Sequence, residues 1–466
     1  MCTLFPLGNA VTPPLVAAPV LVVPVAADHP GSLQANLTTV AGRQVVFVEV
    51  ADERRRGALT AADGHTFAEA AAHALGAGLP LLIVLSSSGA DAHDGIAALH
   101  GWGRAARMIS RCSGRVPVLM AATGPVLSGP ALLLGLAEHV VMTEDAYAYV
   151  SGPRMVATFT GETLDSAELG GASVHAVETG VAALVVPTPE EALDALGHLL
   201  AYLPSSIDEE PPRWPTSDPL DRPTPEAGAC VPTSPTGGYD VRDVIRSLVD
   251  DADFLELRER WAPNLVTAMA TIGGRPVGIV ANQPLAIAGT LDIASSQKGA
   301  RFVSFCDAFG IPLLTLIDTP GFYPGKDLEW RGMIRHGAQL AFAYARATVP
   351  RVAVVLRKAY GGAYIVMDCR TMGSDLYLAW PSAEIAVMGA KGAAEVLHRR
   401  ESPARRAELE QEYEDRFLNP YIAADRGAVD AVIDPADTRR EVAHALEMLS
   451  SKQERLVQRK HDNQPL

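Results

Sequence analysis

Cysteine is scarce in this chain, and each one stands alone. Cys2, Cys112, Cys230, Cys306 and Cys369 are scattered, odd in number and never spaced as CxxC. That pattern excludes a disulfide framework and a cysteine-rich zinc site, and it fits a reduced compartment. No histidine cluster has ligand spacing and no GxSxG nucleophile elbow occurs, so no metal is expected. Positive charge is also short: 39 Lys and Arg against 54 Asp and Glu leave a net charge of −15. This balance argues against nucleic acid or an anionic membrane as a partner. No Lys or Arg precedes Arg43, so the charged start of a signal peptide is missing. The apolar stretch 15–27 is broken by Pro19 and Pro24 and is too short to span a membrane. Residues 1–34 therefore read as a Pro/Ala-rich arm, and the expected location is cytoplasmic.

Apolar residues are abundant. At 48% hydrophobic and 20% charged, the 466 residues have the balance of a packed globular protein. The length suits two domains of about 200 residues each. The stretch 348–390 carries the clearest chemistry. Residues 352–356 are a Val-rich apolar run, too short for a helix and read as a buried strand. Gly361 and Gly362 follow, then a run that continues as a helix. A strand entering a helix through Gly-Gly turns tightly and leaves unpaired N–H groups at the helix start. Such groups can hold a developing negative charge, as in an oxyanion hole. Two further strands, 376–380 and 384–388, end at Gly389.

The same plan occurs earlier in the chain. Pro117 precedes Ser128 and Gly129 by 11 and 12 residues, as Pro350 precedes Gly361 and Gly362. Upstream, GLPLLIVLSSSG parallels GIPLLTLIDTPG. The spacing predicts one α/β unit used twice, with a loop after its first strand and a small-residue turn after its second. Gly321 to Lys326 looks like a phosphate loop but is one residue short and lacks the Ser or Thr that should follow.

Three stretches make the second half recognisable: GRPVGIVANQPLAIAGTLDIASSQKGARFVSFCDAFGIPLLTLIDTPGFYPG, RKAYGGAY and AWPSAEIAVMGAKGAAEVL. With DAVIDPADTRREVAHAL near the C-terminus, they resemble the carboxyltransferase (beta) subunit of biotin-dependent acyl-CoA carboxylases. The resemblance covers residues 35–466 and is dense after Val241. It implies an α/β fold of two tandem crotonase-like (ClpP/crotonase) domains related by internal duplication. It also implies an active site joining domains of different subunits, in a homo-oligomer that is a hexamer built as a ring of dimers. The domains read as 35–203 for the acyl acceptor and 239–466 for biotin, joined by a Pro-rich linker at 204–238. The linker is expected to run extended, without regular elements.

The implied activity moves a carboxyl group from carboxybiotin to an acyl-CoA or related acceptor by enolate chemistry. The chain has no Met-Lys-Met biotin attachment site. Biotin is thus expected in trans, on a biotin carboxylase or carrier subunit. By matching position, the Gly362 and Ala363 N–H groups hold the ureido oxygen of biotin. Ser128 and Gly129 hold the thioester oxygen. If the donors are instead Gly129 and residue 130, one is lost, because Pro130 has no N–H. Tyr360, Tyr364 and Ile365 line the point where biotin and acceptor meet, and Gly361 and Gly389 belong to the same substrate- and biotin-binding set.

On the acceptor side the loop Ser88, Gly89, Ala90, Asp91 departs from the family's Gly-Gly-Ala-Arg. Asp91 in place of Arg is expected to repel a polyphosphate and weaken binding of simple acyl-CoA, unless Asp91 is exposed or Arg54 to Arg56 lie close enough to compensate; this points to a non-standard acceptor. Arg54, Arg55 and Arg56 are either a solvated loop or contacts to the phosphates of a nucleotide-like ligand. Two other functions stay open: a catalytically altered paralogue serving as a scaffold or binding subunit, and a thioester decarboxylase.

Overall fold

The structure is a computed structural model that describes residues 31–50, 54–234, 236–458, 460–461 and 463–465. Most of the N-terminal arm lies outside the described residues. Of the rest of the arm, Leu33 and Gln34 already belong to the first strand.

The chain divides into two compact units. One ends at Ser173 and resumes over Val185–Ala201; the other takes Val174–Leu184 and Tyr202–Leu466. In the first unit β1 (Leu33–Val40) and β2 (Arg43–Val50) form an antiparallel hairpin. Then β3 (Leu81–Ser87), β4 (Val118–Leu127) and β5 (His139–Thr143) add in parallel. The short β6 (Tyr147–Tyr149) pairs with the last residues of β4, and β7 (Leu184–Val186) closes the sheet beside β5.

The second unit opens with one extra strand, β8 (Phe254–Glu256), and then repeats that plan. β9 (Leu265–Ile272) and β10 (Arg275–Asn282) form the hairpin expected around Gly273 and Gly274, which take φ of 60° and 70°. Two successive residues at positive φ match a type I′ turn, whose twist suits a hairpin. β11 (Leu313–Thr319), β12 (Arg351–Tyr360) and β13 (Leu376–Ala379) follow in parallel. β14 (Glu384–Ala386) pairs with the end of β12, and β15 (Ala431–Val432) lies beside β13. The central strands β11 and β12 are buried along nearly their whole length, as strands inside a parallel sheet usually are.

Bonding repeats as well as order. The helix Ala61–Ala77 starts on a capping box between Thr60 and Asp63, and the helix Ile293–Ala308 starts on one between Asp292 and Ser295. Hydroxyl and carboxylate have exchanged places, yet both helix starts have their N–H groups satisfied. A β-bridge joins Leu59 to Ala90 in one unit and Leu291 to Phe322 in the other. The duplication read from spacing is present strand by strand.

Two expectations are corrected. Residues 329–347 read from the sequence as one long helix; the structure has two, Lys326–Trp330 and Met333–Arg346, broken where Gly332 takes φ 92°. The linker contains one regular element, the helix Pro225–Ala229, whose first residue is a proline. Proline lacks only an N–H that is unpaired at a helix start anyway. The linker is also held in place: Trp214 N–H donates to the Gly274 carbonyl at 2.7 Å and Thr224 N–H to that of Ala436 at 2.8 Å.

Arg439 ties these pieces together. It is wholly buried and donates to the carbonyls of Pro219 and Leu248 and to Asp250 Oδ1 at 2.6 Å. Asp250 in turn accepts the N–H groups of Gly273 and Gly274. Removing one partner of a buried ion pair costs about 3–5 kcal/mol. Arg439→Leu is therefore expected to lower the thermal midpoint by several degrees in calorimetry; an unchanged midpoint would show that the network contributes nothing.

Among the described residues, no helix is long and apolar enough to cross a membrane. Nor does any group of three or more His, Cys, Asp or Glu among them have the arrangement of a metal site.

Candidate functional site

Each unit ends its longest strand in the same turn. After β12, Gly361 takes φ +58° and opens the helix Gly361–Val366, which no side chain caps. After β4, Ser128 takes φ +61°, and Gly129 and Pro130 lead into the short helix Ala131–Leu134. A left-handed serine is strained by roughly 1–3 kcal/mol, so the surrounding packing holds it there. Gly129 has a different need. A Cβ on it would lie 2.8 Å from Cε2 and Nε1 of Trp102, so only glycine fits beneath that ring.

The N–H groups of the first turn are not equivalent. Ser128 N–H donates to the Tyr149 carbonyl at 2.9 Å, an extension of the β4–β6 pairing. Pro130 has none. Within this turn the donor pair expected of Ser128 and Gly129 is therefore reduced to Gly129. The loop after β3 adds a group that sequence reading had placed only as lining. Gly89 N–H is bonded to Ser87 Oγ and Asp91 N–H to the Leu59 carbonyl, while Ala90 N–H has no acceptor among the described residues. A Cβ on Gly89 would be 3.3 Å from Ser128 Cβ, so this loop lies directly against the turn. Local sequence carries no sign of this, because the contact joins two separate strand ends.

In the second unit the uncapped start of Gly361–Val366 leaves Gly362 and Ala363 N–H groups available. Phe322, at the position matching Ala90, packs its ring about the turn; a Cβ on Gly362 would meet it at 3.4 Å. The Tyr360 hydroxyl donates to the Glu384 carboxylate, and a Cβ on Gly389 would lie 3.3 Å from the Tyr360 ring. Burial first, and then the Glu384 carboxylate, push the Tyr360 phenol far above its ordinary range, so it stays neutral. Glu384 was missed in the sequence, although it stands at the start of β14 beside the residue that needs it. Tyr364 meets Tyr377 edge-on at 6.1 Å, and its phenol is pushed up to about 12, chiefly by burial. Ile365 is 39% exposed. Arg357 is structural: it donates to Asp318 Oδ2 at 3.0 Å and to the carbonyls of Ser234 and Gly237.

The arginine stretch and the acceptor loop come together. Arg54–Arg56 form a single 3-10 turn, with Arg55 at φ 50°. Ser88 N–H donates to the Arg56 carbonyl at 3.0 Å, and Ser88 Oγ to that of Arg55 at 2.9 Å. The Arg55 guanidinium donates to the Asp91 carboxylate. Asp91 also accepts the His93 N–H at 2.9 Å and is 3% exposed. Burial alone would raise its carboxyl, but the His93 N–H and the Arg55 guanidinium outweigh that and hold it below the usual range. Asp91 is thus ionised, buried and paired. It presents no free negative charge, and the reason given above for weak acyl-CoA binding is removed. Arg55, from the neighbouring loop, is the cation that neutralises Asp91.

Known proteins share the sequence and the fold. The Carboxyl transferase domain family matches residues 26–464. The propionyl-CoA carboxylase carboxyltransferase subunit of Haloferax mediterranei is 45% identical over 400 residues, 84% of this chain and 78% of its own. The methylmalonyl-CoA carboxyltransferase 12S subunit of Propionibacterium freudenreichii is 45% identical over 398 residues, 84% of this chain and 76% of its own. A crystal structure of transcarboxylase 12S, described as a hexamer with hydrolysed methylmalonyl-coenzyme A bound, superposes with a TM-score of 0.91 at 42% identity. It covers 93% of this chain and 85% of its own. Matched across nearly its whole length, and with both halves built on one crotonase-like plan, the chain belongs to the carboxyl transferase family.

Proposed function

We propose that this chain is the carboxyltransferase subunit of a biotin-dependent acyl-CoA carboxylase. It moves a carboxyl group from carboxybiotin, brought by a biotin carboxylase or carrier subunit, to the α-carbon of an acyl-CoA. The observation that carries this reading is the repeated left-handed turn with donors at its helix side, at Ser128–Gly129 and at Gly361–Gly362. Carboxybiotin supplies the carboxyl group; binding, orientation and charge stabilisation fall to this chain. The uncapped N–H groups of Gly362 and Ala363 fit a ureido oxygen. Gly129 N–H, with Ala90 N–H beside it, fits the thioester oxygen, on which negative charge grows as the α-proton leaves. Tyr360 is neutral and anchored by Glu384, so it shapes the biotin side without exchanging a proton. Arg56 provides positive charge beside the acceptor loop, suited to the phosphates of coenzyme A, while the charge of Arg55 is offset by Asp91. Domain roles follow: the first unit takes the acceptor and the second takes biotin. The assembly is a homo-hexamer, and the location is the cytoplasm.

The test is transfer from a carboxylated carrier protein to acetyl-, propionyl- and butyryl-CoA, with and without this chain. Transfer that depends on the chain is the expected result. Decarboxylation of methylmalonyl-CoA with no transfer to any acceptor would favour a decarboxylase, and carrier binding with neither activity would favour a scaffold. Sedimentation at micromolar concentration is expected to show a hexamer; a monomer would overturn the assembly.

The acyl preference makes a further prediction. Ile365 is an exposed apolar residue, at a place where the resemblance implies that family members often carry Asp. Ile365→Asp is expected to change the relative kcat/KM values for acetyl-, propionyl- and butyryl-CoA by about tenfold, the worth of one or two methylene groups in an apolar pocket. Unchanged ratios would remove Ile365 from the pocket wall.

A further inference from the structure

Trp102 stands out among the aromatic residues of the first unit. It lies early in the helix Ile96–Cys112, and nothing in its local sequence marks it. Its indole nitrogen is buried, yet no acceptor reaches it. Buried tryptophans normally find a partner for that N–H. An orphaned donor costs about 1–3 kcal/mol, so what the ring contributes at this place is its bulk and not its nitrogen.

The place of the ring supplies a reason. Its Nε1–Cε2 edge rests on Gly129, so close that any Cβ there would overlap it. Gly129 is the residue of that turn whose N–H is neither bonded to β6 nor missing. The matching glycine of the second unit, Gly362, meets a smaller aromatic, Phe322, at an ordinary contact of 3.4 Å. The two halves thus back the same turn with different amounts of bulk. The first also has Ala90 where the second has Phe322, so the ring comes from the helix and not from the loop.

We infer that Trp102 is a specificity-determining residue that forms the wall of the acyl pocket at Gly129 and limits the length of the acyl chain accepted there. This rests on the function proposed above. A thioester oxygen held by Gly129 N–H places the acyl carbons within a few bonds of the indole edge. Each methylene that an apolar pocket admits or rejects is worth about 10–200-fold in discrimination. Removing the indole opens room for several methylenes, and replacing it with a phenyl ring opens far less.

Calorimetric titration of propionyl-CoA and hexanoyl-CoA into the full-length protein, alongside carboxyl transfer to both, tests the inference. Trp102→Leu and Trp102→Ala are each expected to raise hexanoyl binding relative to propionyl by at least tenfold, with the transfer ratio following. Trp102→Phe is expected to stay within threefold of the unsubstituted protein. Trp102→Leu keeps much of the packing, so the comparison survives if Trp102→Ala does not fold. Transfer that proceeds with an unmoved ratio in Trp102→Leu overturns the wall alone. Neither binding nor transfer by the unsubstituted protein overturns the function proposed above, and the wall with it.

Discussion

Ala363→Pro is expected to lower kcat for carboxyl transfer by about 10²–10³-fold, the usual loss when one oxyanion donor is removed. The substitution deletes the N–H of the second residue in the expected biotin-side pair. It should do so with little harm to the fold, because the first unit already contains it: Pro130 occupies the matching place after the same left-handed turn. Proline is well suited to a helix start, and the residue before it, restricted by the ring, is glycine in both units. Circular dichroism and sedimentation should therefore match the unsubstituted protein, which separates lost donation from lost structure. The reverse substitution, Pro130→Ala, is expected to change turnover by less than about threefold, because the acceptor side has formed its donors without that position. A loss of less than about threefold in Ala363→Pro would remove Ala363 from the pair and leave Gly362 to find its companion elsewhere in the second unit.

Arg55→Ala is expected to raise KM for the acyl-CoA by about tenfold or more while kcat changes little. The substitution strands the Asp91 carboxylate, whose side chain is 2% exposed, without its cation. A buried carboxylate left alone costs about 3–5 kcal/mol. That figure is discounted here because the Arg55 side chain is 44% exposed and water screens part of the pair. The loop that carries Ala90 is the part that should loosen. Exchanging both residues, Arg55→Asp with Asp91→Arg, is expected to recover most of the loss, because the pair persists with its sign reversed. Additive losses in the double variant would show that the two residues are not coupled. The pH dependence has a definite sign. Asp91 titrates below the ordinary aspartate value of 3.8 when folded, so its pairing is fully present above that value and is lost only as pH falls through the lower folded one. KM should be flat at neutral pH and rise only in strong acid.

Much of this was legible in the residues. Paired intervals from proline to the small-residue turn, and the shared Pro-Leu-Leu strands, expose the duplication in the sequence itself. The resemblance named the chemistry. What could not be read were partners fixed by distant pairing. Whether Ser128 N–H is free depends on β6, which arrives some twenty residues later and takes it up. Whether Asp91 repels an anion depends on Arg55, which lies on another loop. A substitution table sees a cation replaced by an anion at one position; the fold sets a cation against that anion. Trp102 and Glu384 were silent for the same reason, since neither lies in the motif it serves. The break at Gly332 is a case of a different kind, because the stretch reads as one helix although Gly332 takes φ 92°.

The path of residues 174–184 has a consequence for synthesis. The chain leaves the first unit after Ser173, contributes this segment to the second, and returns at Val185. The carbonyls of Gly180 and Ala183 accept from Arg258, and Gly180 sits so close to Trp261 that a Cβ would overlap its ring. On a translating ribosome, where N-terminal domains fold first, this segment emerges well before the residues that secure it. The first unit must complete its sheet while holding out a loop whose partners have not yet been made. A gene cut at the proline-rich connector would yield one piece with that loop unclaimed and another with Arg258 and Trp261 unanswered. The ancestral repeat has in this way become a single translational commitment, and its two copies are no longer separable by one break in the chain.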